Sequence, residues 1–131
     1  MDETIQLSNG EWKLMNILWE EAPRTITQIV SISKGDMAWS KHTVIKMLSR
    51  MTAKGAVYYT EGQKAKQYYP AVDKKSIVIK ETMNFLDKVY EGRLGLLVNA
   101  MVKEKGLTKM ELEELNEIIR QAEREENEKH D

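Results

Sequence analysis

The chain has 131 residues, with 20 Lys/Arg against 21 Asp/Glu for a formal net charge of −1, and no cysteine. That length is enough for one or two small domains with a core that needs no staples. The lack of thiols excludes disulfides, thiolate zinc sites and cysteine nucleophiles. No apolar run reaches the roughly 18 residues needed to cross a bilayer, and the acidic, polar start is unlike a signal peptide. The expectation is a cytoplasmic protein without membrane insertion.

Charge is unevenly placed along this near-neutral chain. Residues 41–66 hold six basic side chains (Lys41, Lys46, Arg50, Lys54, Lys64, Lys66) and one acid, Glu61. Such a local patch attracts phosphate whatever the overall balance.

In chain order, Ser8-Asn9-Gly10-Glu11 is a capping box, with Ser8 at N-cap and Glu11 three residues on. It opens a helix to about Glu21, with Trp12, Met15, Leu18 and Trp19 at helical spacing for a core; Pro23 stops it. Thr25 and Gln28 repeat the box, and Ile26, Ile29, Val30 and Ile32 make the apolar positions of a short second helix ending before Lys34-Gly35-Asp36. A third helix opens on Ser40. Val44, Leu48 and Met51 give it one apolar stripe, while Lys41, Thr43, Lys46 and Arg50 fall largely on other faces. No carboxylate occurs among residues 40–54, and Lys54-Gly55 supplies a closing cation and a residue free to take φ > 0. Lys and Arg can reach phosphates or guanine edges, and Thr can bond a base edge or press its methyl on a thymine. The competing reading of that stretch is an ordinary surface helix.

After Gly55 the period changes from 3.6 to 2. Ala56–Thr60 and Lys66–Val72 are β-prone around a Glu61-Gly62-Gln63-Lys64 turn, which makes a hairpin with lysines at its tip. Three helices followed by a basic-tipped hairpin predict a winged helix-turn-helix, the third helix entering the major groove and the wing lying on flanking backbone or minor groove.

Residues 76–104 read as helix with too many apolar positions for a single stripe, the apolar run passing Gly92 and ending at Lys105-Gly106. Thr108 and Glu111 form a third capping box, and Leu112, Leu115, Ile119 and Ala122 a narrow seam of coiled-coil type. Cover for these faces must come from a second copy. The dimerisation candidates are Ile79, Met83, Leu86, Tyr90, Leu97, Met101, Leu112, Leu115 and Ile119. The expected fold is mainly α with a small β-hairpin: a winged-helix DNA-binding domain over 1–72, a helical dimerisation region over 73–122 and a disordered tail over 123–131.

These motifs, in this order, resemble the BlaI/MecI/CopY repressors, winged-helix regulators of penicillinase and copper-transport operons. The resemblance runs from about Leu7 to Ile119. It is carried by Ser-x-x-Glu-Trp-x-x-Met-x-x-Leu-Trp (Ser8 to Trp19) and Trp-Ser-x-x-Thr-Val-x-x-x-Leu-x-Arg-Met (Trp39 to Met51). Lys54-Gly55, Gln67-Tyr68-Tyr69 and Phe85-Leu86-x-x-Val89-Tyr90-x-Gly92 extend it. It implies a homodimeric repressor on a palindromic double-stranded operator of TACA/TGTA type, controlling β-lactamase-like or other stress-response genes. The implied helix contacts are Ser40, Lys41, Thr43, Lys46 and Arg50; His42 beside them and Lys64 and Lys66 on the wing are further DNA-binding candidates from their own place and charge; Ile45 stands where relatives often carry a polar residue. In the β-lactamase branch a membrane sensor's signal leads to cleavage at an Asn-Phe bond, and the matching pair here is Asn99-Ala100. The copper branch's cysteine cluster has no counterpart, and soft Cu(I) needs sulfur ligands.

Other readings stay open at this stage: a winged helix released by a small-molecule ligand, and one used for protein contact. An enzyme is not expected. His42 and His130 are the only imidazoles, and no nucleophile–base constellation, Gly-rich phosphate loop or metal-spaced carboxylate set is present, so neither cofactor nor metal is expected.

Overall fold

A computed structural model of the protein describes residues 5–129. Its elements are α1 (Asn9–Glu20), α2 (Ile26–Ser33), α3 (Lys41–Ala53), β1 (Val57–Glu61), β2 (Lys66–Pro70), α4 (Lys74–Tyr90), α5 (Leu94–Lys105) and α6 (Lys109–Lys129). The chain divides into two compact units, one up to Asn84 and one from Phe85 onward, a division that falls inside α4.

All three capping boxes form as their spacing predicts. Ser8 Oγ accepts from the Glu11 N–H at 3.2 Å while Glu11 Oε1 accepts from the Ser8 N–H at 2.8 Å. Thr25 and Gln28 exchange the same pair at 3.2 and 2.9 Å, and Thr108 and Glu111 at 3.1 and 3.0 Å. Each box satisfies two otherwise orphaned backbone donors.

The first unit's core is built from Leu14, Met15, Ile17 and Leu18 of α1, Ile29 of α2, and Val44, Met47, Leu48 and Met51 of α3, closed by Ala56, Val57 and Tyr68 of the hairpin. The α1 stripe is rotated from the expected one. Trp12 and Trp19 are only half-buried, meeting edge to face at 5.9 Å, and the Trp19 indole N–H donates to the Val72 carbonyl at 2.9 Å. A ring this large sits at the margin of a small core, where its polar atom can find a partner.

Two local devices fix the turns on either side of α3. The fully buried Ser33 hydroxyl donates to the Val30 carbonyl at 2.8 Å and accepts from the Trp39 N–H at 3.1 Å, which staples the turn. Beyond α3, Gly55 takes φ 81°. The Gly55 N–H then bonds the Thr52 carbonyl at 3.1 Å and the Ala56 N–H bonds the Met51 carbonyl at 2.8 Å, a Schellman closure that aims the chain into β1.

The strands pair antiparallel, with Tyr58 opposite Tyr69 and Tyr59 opposite Tyr68. Backbone bonds exchanged between Arg24 and Tyr68, at 3.1 and 2.9 Å, add a one-residue third rung ahead of α2. The first strand is displaced by one residue from the expected Ala56–Thr60, since Ala56 belongs to the helix closure, and the second is shorter than expected, ending at Pro70. Three helices and a docked hairpin make this unit a winged helix-turn-helix.

The apolar run over 76–104 is two helices. Glu91 (φ 52°) and Gly92 (φ 78°) turn left-handed, with the Gly92 N–H on the Leu86 carbonyl at 3.1 Å. In the second unit, α5 and α6 contain no buried residue, although Leu94, Leu96, Val98, Met101, Val102, Leu112, Ile118 and Ile119 are all apolar and exposed. Helix α6 continues to Lys129 through the segment expected to be a disordered tail. Its residues are good helix formers, and Glu117 pairs with Arg120 at 3.1 Å and Arg124 at 3.3 Å. His130 lies outside the described residues.

Candidate nucleic-acid interface

The site is the face of α3 opposite its buried stripe, together with the hairpin. Val44, Met47, Leu48 and Met51 turn inward. At 3.6 residues per turn, His42, Lys46, Ser49 and Ala53 form the opposite stripe, all exposed. Thr43 and Arg50, seven residues apart, share one flank; Lys41, Ile45 and Thr52 lie on the other, toward the hairpin.

The helix is anchored at both ends. At its start Ser40 Oγ accepts from the Thr43 N–H at 3.1 Å and shares a 3.0 Å hydrogen bond with Thr43 Oγ1. Both hydroxyls remain on exposed residues. At its end lies a feature that sequence reasoning assigned to capping alone. Glu11 is 1% exposed, and Lys54 Nζ meets its Oε1 at 2.7 Å while Arg50 Nε stands 3.6 Å from its Oε2. Lys54 Nζ also donates to the Gln6 carbonyl at 2.8 Å. Burial by itself would raise the Glu11 carboxyl, but hydrogen bonds from Lys54 and from the Ser8 backbone, with the ammonium's charge, hold it below its ordinary value. Two cations of the basic patch are therefore engaged with α1. Lys54 is structural, and Arg50 keeps its side chain more than half exposed beside the carboxylate.

On the wing, Gly62 N–H closes the turn onto the Ala65 carbonyl at 3.0 Å. Lys66 lies over the Tyr59 ring at 4.3 Å from its centroid, a cation–π contact that restricts the ammonium. Lys64 is exposed at the tip. Tyr59 and Tyr68 face α3, whereas Tyr58 stacks on Tyr69 at 5.0 Å on the other side. A groove between helix and wing is lined by Ile45, Ser49, Thr52, Ala53, Tyr59, Lys66 and Tyr68.

The structure thus brings Lys41, His42, Thr43, Lys46, Arg50 and Lys66 onto the helix–groove surface and leaves Lys64 at the wing tip. Ser49 and Tyr59 join that surface without having been singled out. Ser49 could have been found by its spacing, three residues after Lys46; Tyr59 needed the strand register.

Of the dimerisation candidates on α4, α5 and α6, Ile79, Met83, Met101, Leu112 and Ile119 are exposed, and Tyr90, Leu97 and Leu115 are half-buried. Leu86, also named among the dimerisation candidates, is buried at 8% exposure. Phe85, one residue earlier, is exposed instead, its ring edge-on to Tyr90 at 6.1 Å. A recess of about 310 Å³ between α5 and α6 is lined by Leu97, Val98, Met101, Val102, Leu107 and Leu115, with Lys105, Glu111 and Glu114 at the polar positions. At its rim the Lys105 ammonium, 2.8 Å away, holds the Glu111 carboxyl down at about 2, helped by the Thr108 N–H. Asn99 and Ala100 lie inside α5. No helix among the described residues is long and apolar enough to cross a membrane.

The sequence matches the model of the penicillinase repressor family over residues 7–121. The chain belongs to the penicillinase repressor family. The methicillin resistance regulatory protein MecI of Mammaliicoccus sciuri is 31% identical over 118 residues, covering 90% of this chain and 96% of that protein. The penicillinase repressor of Bacillus licheniformis is 24% identical over 119 residues, covering 91% of this chain and 93% of its own. Among solved structures, the DNA binding domain of the repressor BlaI superposes with TM-score 0.51 at 24% identity, over 56% of this chain and 90% of that one. Wild-type MarR from E. coli reaches 0.52 at 13% identity, over 88% and 77%. These superpositions carry the fold; the family itself is one of transcriptional repressors, not enzymes.

Proposed function

We propose that this penicillinase repressor family member binds double-stranded DNA as a homodimer and represses transcription from a palindromic operator of TACA/TGTA type. The observation that carries the reading is the acid-free exposed face of α3, beside a wing with Lys64 and Lys66, on a framework whose buried stripe fixes its orientation. Lys41, His42, Lys46 and Arg50 supply charge for phosphates or guanine, and Ser40 and Thr43 supply hydroxyls near the helix start. Relatives point the same way: the MecI proteins are named as methicillin resistance regulators, and BlaI of Bacillus licheniformis has been solved with the blaP half-operator. Control of β-lactamase-like or other stress-response genes follows from that kinship.

Dimerisation through α4, α5 and α6 is supported by their apolar exposure, well beyond the scattered single residues normal for a monomer's surface. A two-fold protein matches a two-fold site. For release, cleavage at Asn99-Ala100 by a sensor-coupled protease requires α5 to unwind locally, because the bond sits within a continuous helix. The apolar recess between α5 and α6 favours a second route, release by a small apolar ligand.

The test is an anisotropy titration at two salt concentrations, comparing a TACA/TGTA palindrome with a scrambled duplex of equal length. Tight, salt-sensitive binding to the palindrome with two chains per duplex is expected. Equal binding to both duplexes would remove the operator assignment, and no binding to either would remove the DNA reading.

A further inference from the structure

Resting on the DNA-binding reading above, one residue of α3 stands apart from the rest of its face. Ile45 is the only large apolar side chain of the helix left exposed, at 42%. Its neighbours on the accessible surface are charged or hydroxyl-bearing: Lys41, His42, Lys46 and Ser49. Nor does the hairpin use Ile45 as its seal, since Tyr68, Val57 and Ala56 are the buried residues that close the core on that side. Ile45 lines the helix–wing groove, where Tyr59, itself 39% exposed, and Lys66 occupy the wing side.

We infer that Ile45 is a specificity-determining residue that selects a thymine by its C5-methyl group. With α3 in the major groove, the base edges offer amino, carbonyl and ring-nitrogen groups and one apolar group, the thymine methyl. An isoleucine has neither donor nor acceptor. Placed against the edge of guanine, adenine or cytosine it removes water from a polar group and returns no hydrogen bond, which is costly. Against thymine it buries a methyl on a branched aliphatic surface, which is favourable. The residue therefore discriminates in both senses, favouring thymine and penalising the other three. Lys46, adjacent in sequence, and Ser49, one turn on, flank it with groups for backbone or polar edges.

The test removes only the methyl. The protein first selects its preferred duplex from a random pool, and each thymine of that duplex is then replaced singly by deoxyuracil. Binding of the wild type and of Ile45→Ser is followed by anisotropy at fixed salt, and thermal midpoints establish that the variant is folded. One thymine per half-site should be sensitive, the wild type losing about three- to tenfold in affinity there, while Ile45→Ser loses less than about twofold at that position and keeps the wild-type response elsewhere. A wild type indifferent to every replacement overturns the inference without reference to any variant, as does a sensitivity that persists in Ile45→Ser. If the wild type selects no duplex at all, the DNA-binding reading itself falls, a result distinct from selection with no methyl dependence.

Discussion

Lys54 Nζ lies 2.7 Å from Oε1 of Glu11, a carboxylate 1% exposed, across 43 residues of sequence. This bond joins the first turn of α1 to the C-terminal end of α3. It also explains why a residue at the edge of a basic patch is unsuited to phosphate contact: its charge is already committed to a buried partner. The neighbouring Glu11 Oε2 makes no hydrogen bond, and Arg50 Nε stands 3.6 Å from it. A buried carboxylate in this position holds two cations of α3 toward the protein and orients the guanidinium that remains at the surface.

Removing Lys54 should therefore cost stability before it costs affinity. Lys54→Met leaves the Glu11 charge buried with only Arg50 nearby. The expected loss is about 2–3 kcal/mol, below the 3–5 typical of a fully enclosed broken pair because Arg50 remains and Lys54 is itself partly exposed. Chemical denaturation measures it. Glu11→Gln with Lys54→Met together should be milder than the sum of the singles, since the double change leaves no unpaired charge.

The same group sets an acid dependence. The Glu11 carboxyl is held below its ordinary value of 4.5 in the folded chain. A depressed folded value means that its stabilisation is complete above the unfolded value and is lost as pH falls through the folded one. The wild type should thus lose stability on acidification below about pH 4.5, and Glu11→Gln should show a shallower decline over that window. Parallel pH curves of thermal midpoint for the two proteins would contradict the assignment.

What was legible in sequence divides along chain distance. The three capping boxes span three residues each, so their partners are fixed by helical geometry and need no tertiary knowledge. The extent of α3 and the placement of its lysines were equally local. Glu11 was visible only as a capping residue because its second partner lies 43 positions away, and a carboxylate in a polar first turn carries no sign of burial. The Ser33 staple and the Arg24–Tyr68 rung share that character. Gly92 lies inside the apolar run without marking a helix end, and Glu91 entering positive φ carries no sequence sign, so two helices read as one apolar stretch. Leu86 and Phe85 are adjacent and equally apolar, and only packing decides which of them is inside.

Two substitutions on α3 should separate charge from reading. Lys46 stands on the outward stripe, and Lys46→Ala is expected to weaken binding to operator and random DNA alike, with the salt slope reduced by about 1. Thr43→Ala removes a hydroxyl on the Arg50 flank while leaving the Ser40 cap bond to the backbone. It should lower operator affinity about three- to tenfold with little change on random duplex. Equal losses on both DNAs for both variants would contradict these roles.

The hairpin tip is a third point of leverage. A Cβ at Gly62 would run into the Ala65 carbonyl oxygen, which is the acceptor that closes the turn. Gly62→Ala should therefore displace Lys64 and Lys66 without reaching the core. The expected result is a thermal midpoint close to wild type and a drop in DNA affinity that shrinks as salt is raised, because the displaced groups act through charge. Unchanged affinity would exclude the wing from the interface.

The strongest consequence concerns the second half of the chain. Leu112 and Ile119, seven residues apart on α6, are 51% and 55% exposed, and neither α5 nor α6 buries a single residue. Apolar area left in water along several successive turns is unfavourable by about 25 cal/mol per Å², and a second copy brings the same faces to cover it. If these residues lie in a dimer interface, Leu112→Glu and Ile119→Glu should leave the winged-helix unit's unfolding unchanged, since neither side chain belongs to its core. They should still shift the chain from dimer to monomer at micromolar concentration, each costing about 2 kcal/mol or more as a central interface anchor does. Sedimentation equilibrium reads the association directly. Affinity for a two-half-site duplex should fall in step, while affinity for a single half-site stays at the wild-type value, because only the former draws on the link between two heads. A wild-type chain that sediments as a monomer at that concentration would refute the interface.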